Sequence, residues 1–234
     1  MERKKCLLVM AGGSGTRMGA SLPKQFIEIK GKAVLQLTIE KFVSAYPGIK
    51  VITVLPQEWH QYWKDYCYMH NFIYPQTLVT GGISRFHSVR NGLDHVPDNS
   101  LVAVHDGVRP LVSKELICRV FGQADEFGAA VPVIPVVDTL KVIDRVRNED
   151  GESLERAVGE EADRSRLYGA QTPQIFHSEI LKHAYGQPFS ETFTDDAAVV
   201  ETCGVRIRYV EGEKFNLKLT TPDDLVIAKA LLGA

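Results

Sequence analysis

The stretch CLLVMAGGSGTRMG, Cys6–Gly19, decides how the rest of the chain is read. Its first five residues are apolar without polar alternation, as in a parallel strand covered on both faces. The glycines that follow permit a tight turn in which bare backbone can approach a ligand. The same grammar recurs. VITVL (Val51–Leu55), TLVTG (Thr77–Gly81) and LVAVHD (Leu101–Asp106) are further strand-like runs. Between them apolar residues fall at helical spacing: Leu35, Ile39, Phe42 and Tyr46, then Phe86, Val89, Leu93 and Val96, then Ile117, Val120 and Phe121. Alternating strands and helices imply right-handed crossovers and an α/β fold, a three-layer α/β/α sandwich on a mostly parallel sheet. Ligands of such sheets bind beyond the carboxyl ends of the strands. AGGSGTRMG, GGISR and HDGVRP each follow a strand, so they should share one rim.

Bulk properties set the bounds. With 234 residues, 44% hydrophobic and 24% charged, the chain suits one large domain, or one domain with an appendage. Lys plus Arg number 27 and Asp plus Glu 29, a net charge of -2. That balance argues against nucleic-acid and membrane partners but leaves room for a local basic pocket. No stretch approaches the ~20 apolar residues of a membrane span, and MERKKCLLVM is too short for a signal peptide. A cytoplasmic location is expected. Cys6, Cys67, Cys118 and Cys203 form no Cys-x-x-Cys pair and are read as reduced thiols.

Val131–Thr172 breaks the alternation of strands and helices. VIDRV alternates, NEDGES is a charged turn and LERAV follows, which predicts a strand pair projecting from the sheet. Strand pairs are marginal alone. This arm, at about 137–172 of a single domain covering 1–234, is therefore expected to pack on a second subunit as a homodimer. At the other end TTPDDLVIAKALL predicts a final helix, with Pro222 in its first turn.

The glycine loop matches neither common nucleotide motif. Counted from Gly12, Arg17 and Met18 occupy the places where a Walker loop needs Gly and Lys; counted from Gly13 and Gly15, Met18 stands where the dinucleotide fingerprint needs its third Gly. What points to phosphate is the pair of cations, Arg17 closing the loop and Lys24 following in PKQ. Backbone N–H groups of glycines can line a triphosphate, an Arg can fork onto its oxygens and a Lys adds a point charge.

With these segments the chain resembles the 2-C-methyl-D-erythritol 4-phosphate cytidylyltransferase family, over nearly its whole length and in order. AGGSGTRM, PKQ, GGISRFHSV (Gly81–Val89), HDGVRP (His105–Pro110), PVVDTLK (Pro135–Lys141), AQTPQIF (Ala170–Phe176), TDDA (Thr194–Ala197) and NLKLTTPDDL (Asn216–Leu225) carry the likeness. It departs at Met10, and at Gly107 and Val108, where the family commonly has Ala. Val108 and Gln171 look more like the sister ribitol-5-phosphate cytidylyltransferases, while Ser88, Leu140-Lys141 and TDDAAVVE look like the erythritol enzyme.

The resemblance implies a Rossmann-like nucleotidyltransferase sheet and a reaction joining CTP to a polyol monophosphate with release of pyrophosphate. It implies catalytic roles for Arg17, Lys24, Arg164 and Lys218. Ala11, Gly12, Gly13, Ser14, Gly15, Gly81, Gly82, Ser88 and Asp106 would bind CTP. Asp106, Arg109, Thr139, Arg164, Thr172, Thr194 and Lys218 would bind the polyol phosphate. Mg²⁺ or another divalent cation is the implied cofactor, held by Asp106 or through the CTP phosphates alone. His105 is read as structural. Two readings compete with the enzyme: a nicotinamide oxidoreductase, which lacks its acidic residue after VITVL, and a nucleotide-sensing protein without turnover.

Overall fold

The computed structural model describes residues 2–13, 22–148, 151–156 and 163–233, side chains within 144–148 and 151–156 excepted. β1 (Lys4–Met10) leads to a short hairpin, β2 (Glu28–Ile29) and β3 (Lys32–Ala33), and to α1 (Val34–Ala45). β4 (Lys50–Leu55), α2 (His60–Met69), β5 (Gln76–Thr80), α3 (Arg85–Leu93) and β6 (Ser100–Asp106) follow. Then come α4 (Lys114–Phe127), β7 (Ala129–Pro135), the pair β8 (Ile143–Asn148) and β9 (Gly151–Arg156), and β10 (Tyr168–Ala170). β11 (Gln174–His177), α5 (Ser178–Ala184), α6 (Asp196–Glu201), β12 (Arg208–Glu211) and α7 (Pro222–Leu231) complete the chain.

β5, β4, β1 and β6 lie side by side and parallel. In chain order these four strands stand 3-2-1-4, so the winding reverses between β1 and β6, the place where an open α/β sheet leaves a crevice. β11 runs antiparallel between β6 and β7, and β12 adds parallel to β7. The apolar runs of the sequence are these strands, because both faces are covered. On β1, Leu7 and Val9 enter one core with residues of α1, α2 and α4. Cys6 and Leu8 point the other way, into a second core with α3, α5 and α6. Full burial of side chains such as Phe121 and Phe176 is worth about 1.5–3 kcal/mol each.

Local signals fix the helix ends. Ser113 caps α4 by accepting from Leu116 N, and Gly128, at φ 85°, ends it in the left-handed region that favours glycine. Thr221 and Asp224 form a reciprocal capping box on α7, with Pro222 in the first turn, where the sequence predicts the helix start. The strand pair expected in this region forms: β8 and β9 pair with each other, from Ile143–Arg156 to Asn148–Gly151, in a sheet separate from the main one. The four cysteines carry no disulfide. Among the described residues no helix is long and apolar enough to cross a membrane.

Candidate active site

The last residues of β1 and β6, Met10 and Asp106, are register partners. Above them opens a cleft of about 370 Å³, walled by Ala11–Gly13 and by Gly82–Arg85 with Ser88, with Lys24, Asp106 and Lys218 also facing it. The described parts of the three loops that the sequence assigns to one rim do share it. Backbone bonds hold the floor: Ala11 N donates to Val54 O at 2.9 Å and Gly107 N to Met10 O at 2.8 Å. Gly107 is closely packed, since a Cβ there would stand 3.0 Å from Leu35 and 3.1 Å from Met10 O.

Lys24 rides on a rigid turn. It starts a 3-10 turn, Lys24–Phe26, whose Phe26 is buried against Trp59, Tyr62 and Trp63. The buried Gln25 donates to Ala11 O at 2.8 Å, tying this turn to the end of β1. Sequence reasoning gave Gln25 no role; its fixed place in PKQ was the signal available.

The opposite wall is also self-supporting. Ser88 Oγ accepts from Gly82 N at 2.9 Å and donates to Ser84 O at 2.9 Å. Ser84 caps α3 by accepting from His87 N. A Cβ at Gly82 would meet His87 Cβ at 2.5 Å, so only glycine fits there. Ser88 thus faces the cleft as expected, but its hydroxyl shapes the loop, the helix-backbone role that competes with ligand contact.

The third wall is a ring of bonds around Asp106. Its Oδ2 accepts from Arg109 Nε at 3.0 Å and lies 3.2 Å from Lys218 Nζ. Arg109 Nη1 donates to Asn216 O at 2.7 Å, Asn216 Nδ2 donates to Thr172 O at 2.8 Å, and Thr172 Oγ1 accepts from Asp106 N at 3.1 Å. Gln171 fastens the segment carrying Lys218: its Nε2 donates to Glu213 O and its Oε1 accepts from Glu213 N. Burial alone would raise the Asp106 pKa, but Lys218 first, then Arg109 and Arg85, hold it well below the usual carboxylate range. Asp106 is therefore an anion throughout the neutral range. His105, buried against Phe42, is pushed down to about 3 by desolvation. It stays neutral, which fits its structural reading. Gln171 and Asn216 were not assigned to the site from sequence, because the partners that place them lie 42 to 107 residues away.

Other expected residues stand apart. Arg164, exposed near the base of the arm, donates to Val137 O at 2.8 Å and does not line the cleft. Thr139 and Thr194 are exposed and do not line it either. Ser14, Gly15 and Arg17 lie outside the described residues. No three His, Cys, Asp or Glu side chains gather as a metal cage among the described residues. One buried carboxylate, Asp106, beside the cleft suits a different mode. A hard cation arriving with a polyphosphate needs only one or two protein oxygens and keeps its waters.

A 3-2-1-4 sheet with a glycine-walled cleft at its reversal point and lysines facing that cleft is the architecture of an α/β nucleotidyltransferase. The chain belongs to the 2-C-methyl-D-erythritol 4-phosphate cytidylyltransferase family, whose sequence pattern matches residues 5–234. A relative of that name from Porphyromonas gingivalis is 46% identical over 233 residues, covering 99% of both chains. One from Bacteroides thetaiotaomicron is 44% identical over 229 residues, covering 98% of this chain and 100% of its own. Among solved structures, the 2-C-methyl-D-erythritol 4-phosphate cytidylyltransferase of Thermus thermophilus superposes with a TM-score of 0.72 at 30% identity, covering 99% of this chain and 100% of that one. The family assignment sets aside the oxidoreductase and sensor readings and does not favour the ribitol enzyme.

Proposed function

We propose that the chain transfers the cytidylyl group of CTP to 2-C-methyl-D-erythritol 4-phosphate, releasing pyrophosphate, in the non-mevalonate route to isoprenoids. The observation that carries the proposal, beside the family, is that Lys24 and Lys218 face one cleft across the anionic Asp106. The nucleophile is a phosphate oxygen, already ionised near pH 7. No general base is needed. A bond forms from that oxygen to the α-phosphorus of CTP. The bond from α-phosphorus to the bridging oxygen breaks, and its electron pair leaves with pyrophosphate. The barrier is the approach of two polyanions, so positioning and charge neutralisation dominate.

In this mechanism Arg17 and Lys24 hold the CTP phosphates and meet charge building on the leaving group. Each is worth about 3–4 kcal/mol of transition-state stabilisation, by analogy with loss of one oxyanion donor. Lys218 aims the incoming phosphate, while Asp106 and Arg109 fix the position of Lys218 and offer partners to the polyol hydroxyls, with Thr172 behind them. Gly12, Gly13, Gly81 and Gly82 leave a slot that suits a pyrimidine and its ribose. A divalent cation, Mg²⁺ by preference, would be held by Asp106 and the CTP phosphates and would supply further charge neutralisation.

Arg164, Thr139 and Thr194 are assigned to a site shared between two subunits. The arm at 137–172 of one domain, 1–234, packs on a second copy and carries Arg164 to the partner's cleft. A cytoplasmic location without nucleic-acid or membrane partners completes the proposal. The test is pyrophosphate release from CTP with a panel of polyol phosphates. Turnover with 2-C-methyl-D-erythritol 4-phosphate and not ribitol 5-phosphate is expected; the reverse preference, or no turnover, overturns it.

A further inference from the structure

Arg85 is the cation in the cleft wall that the mechanism does not use. It opens α3, one turn before Ser88, and faces the same cleft as Lys24 and Lys218. Yet its guanidinium is turned onto α6, which begins 111 residues later in the chain. Nη1 and Nη2 donate to the two oxygens of Asp196 at 2.7 and 2.6 Å, a bidentate pair. Asp196 is 0% exposed, and Tyr185 Oη donates to the same Oδ1 at 2.6 Å. Tyr185 is itself buried in an aromatic stack with Phe86, the residue after Arg85.

The geometry of this group is that of an anchor. Gly82, Ser84 and Ser88 lock the cleft loop onto the first turn of α3 through bonds within the same stretch of chain. These local bonds give the loop its shape, and Gly81 N, donating to Leu55 O at 2.9 Å, ties its start to the end of β4. The link from α3 to α5–α6 through Arg85, Asp196 and Tyr185 is a second anchor, at the other end of the wall. Burial opposes the charge on Arg85, but Asp196 more than compensates and keeps the guanidinium protonated. Burial and then Asp196 keep the Tyr185 hydroxyl protonated, able to donate.

On the reading of this cleft as the CTP site, we propose that Asp196 and Tyr185 are positioning residues for nucleotide binding: they hold Arg85 as an ion pair and so help fix the Gly81–Ser88 wall over the sheet. The wall meets the nucleotide, and the ring around Asp106 on another wall of the same cleft faces the polyol phosphate. The effect should therefore fall on one substrate. A buried ion pair with no such duty would alter stability and leave the two substrates equally affected.

The experiment is steady-state kinetics on the full chain, with KM for CTP and for 2-C-methyl-D-erythritol 4-phosphate measured separately, beside calorimetric titration of CTP alone. In Asp196→Asn and in Arg85→Lys, which keeps the charge but loses the fork, KM for CTP is expected to rise about tenfold, as misplacement of a binding wall would do. KM for the polyol phosphate should stay within about twofold. Tyr185→Phe removes one hydrogen bond, should fold whatever Asp196→Asn does, and should raise KM for CTP about threefold. The proposal is overturned if folded variants keep the wild-type KM for CTP, if both KM values move together, or if Asp196→Asn tightens CTP, which would mean that a released Arg85 grips phosphate. A wild-type chain that neither binds CTP nor releases pyrophosphate overturns the functional reading first, and that failure is told apart by its appearing without any mutation.

Discussion

Lys218 and Arg164 are both cations assigned to the incoming phosphate, and they are held in contrasting ways. Lys218 stands in a closed ring: Asp106 pairs with it, Arg109 and Thr172 fix Asp106, and Asn216 and Gln171 fasten the strand-like segment beneath. Arg164, near Val137 to whose O it donates, is outside the lining of its own chain's cleft. Folding alone delivers the first cation. In the proposed assembly, the second comes from another molecule. Half of the proposed phosphate grip is thus a property of the monomer and half of the assembly, and the two halves should fail differently.

The largest effects test the part that folding delivers. Lys24→Ala, on its rigid turn, should lower kcat by about 10²–10³-fold with unchanged circular dichroism, measured by pyrophosphate release. Arg17→Ala should behave alike, and near-normal rates in both would remove the phosphate clamp. Next comes the test across subunits. Lys218→Ala and Arg164→Ala chains, each nearly inactive alone, should regain about a quarter of wild-type activity when unfolded and refolded together, because half of the random dimers then hold one intact site. No recovery would place both cations in the same chain's site, and a monomer by sedimentation would remove the arm's role. A smaller effect separates the substrates: Lys218→Ala with excess partner phosphate should raise KM for the polyol phosphate more than KM for CTP.

The smallest effect concerns pH. His105 is held near 3 in the fold against 6.5 when unfolded, so only the unfolded chain takes up its proton between those values. Its contribution is complete above pH 6.5 and declines as pH falls through that window. Asp106 has the same sign lower down: its pKa is depressed, so the ring stabilises above 3.8 and weakens as pH falls further. His105→Gln should therefore flatten the loss of Tm between pH 6 and 4 relative to wild type. An unchanged slope would mean that another group carries it.

The apolar strands, the helices between them and the gathering of three loops on one rim were legible because each depends on local pattern: two-sided burial, helical spacing, glycine after a strand. The antiparallel β11, slotted between β6 and β7, was not. QIFH is too short to announce a direction, which is set by its neighbours. Residues recognised by family likeness were legible as positions and less so as roles. Ser88 lines the cleft while its hydroxyl serves the loop. Gln25, Gln171, Asn216 and the Arg85–Asp196 pair act through contacts that only the folded chain creates.

The pairing of Met10 with Asp106 has a consequence for how this chain can change over generations. Side chains alternate along a strand, so deleting a single residue before Asp106 in β6 would turn its carboxylate to the opposite face and strand Lys218. Lengthening the chain between β8 and β9, which form a sheet apart from the main one, would leave the register at the sheet edge unchanged. Gains and losses of residues should therefore be tolerated between β8 and β9 and purged from the strands that end at the cleft, a bias that deep insertion-deletion scanning would expose.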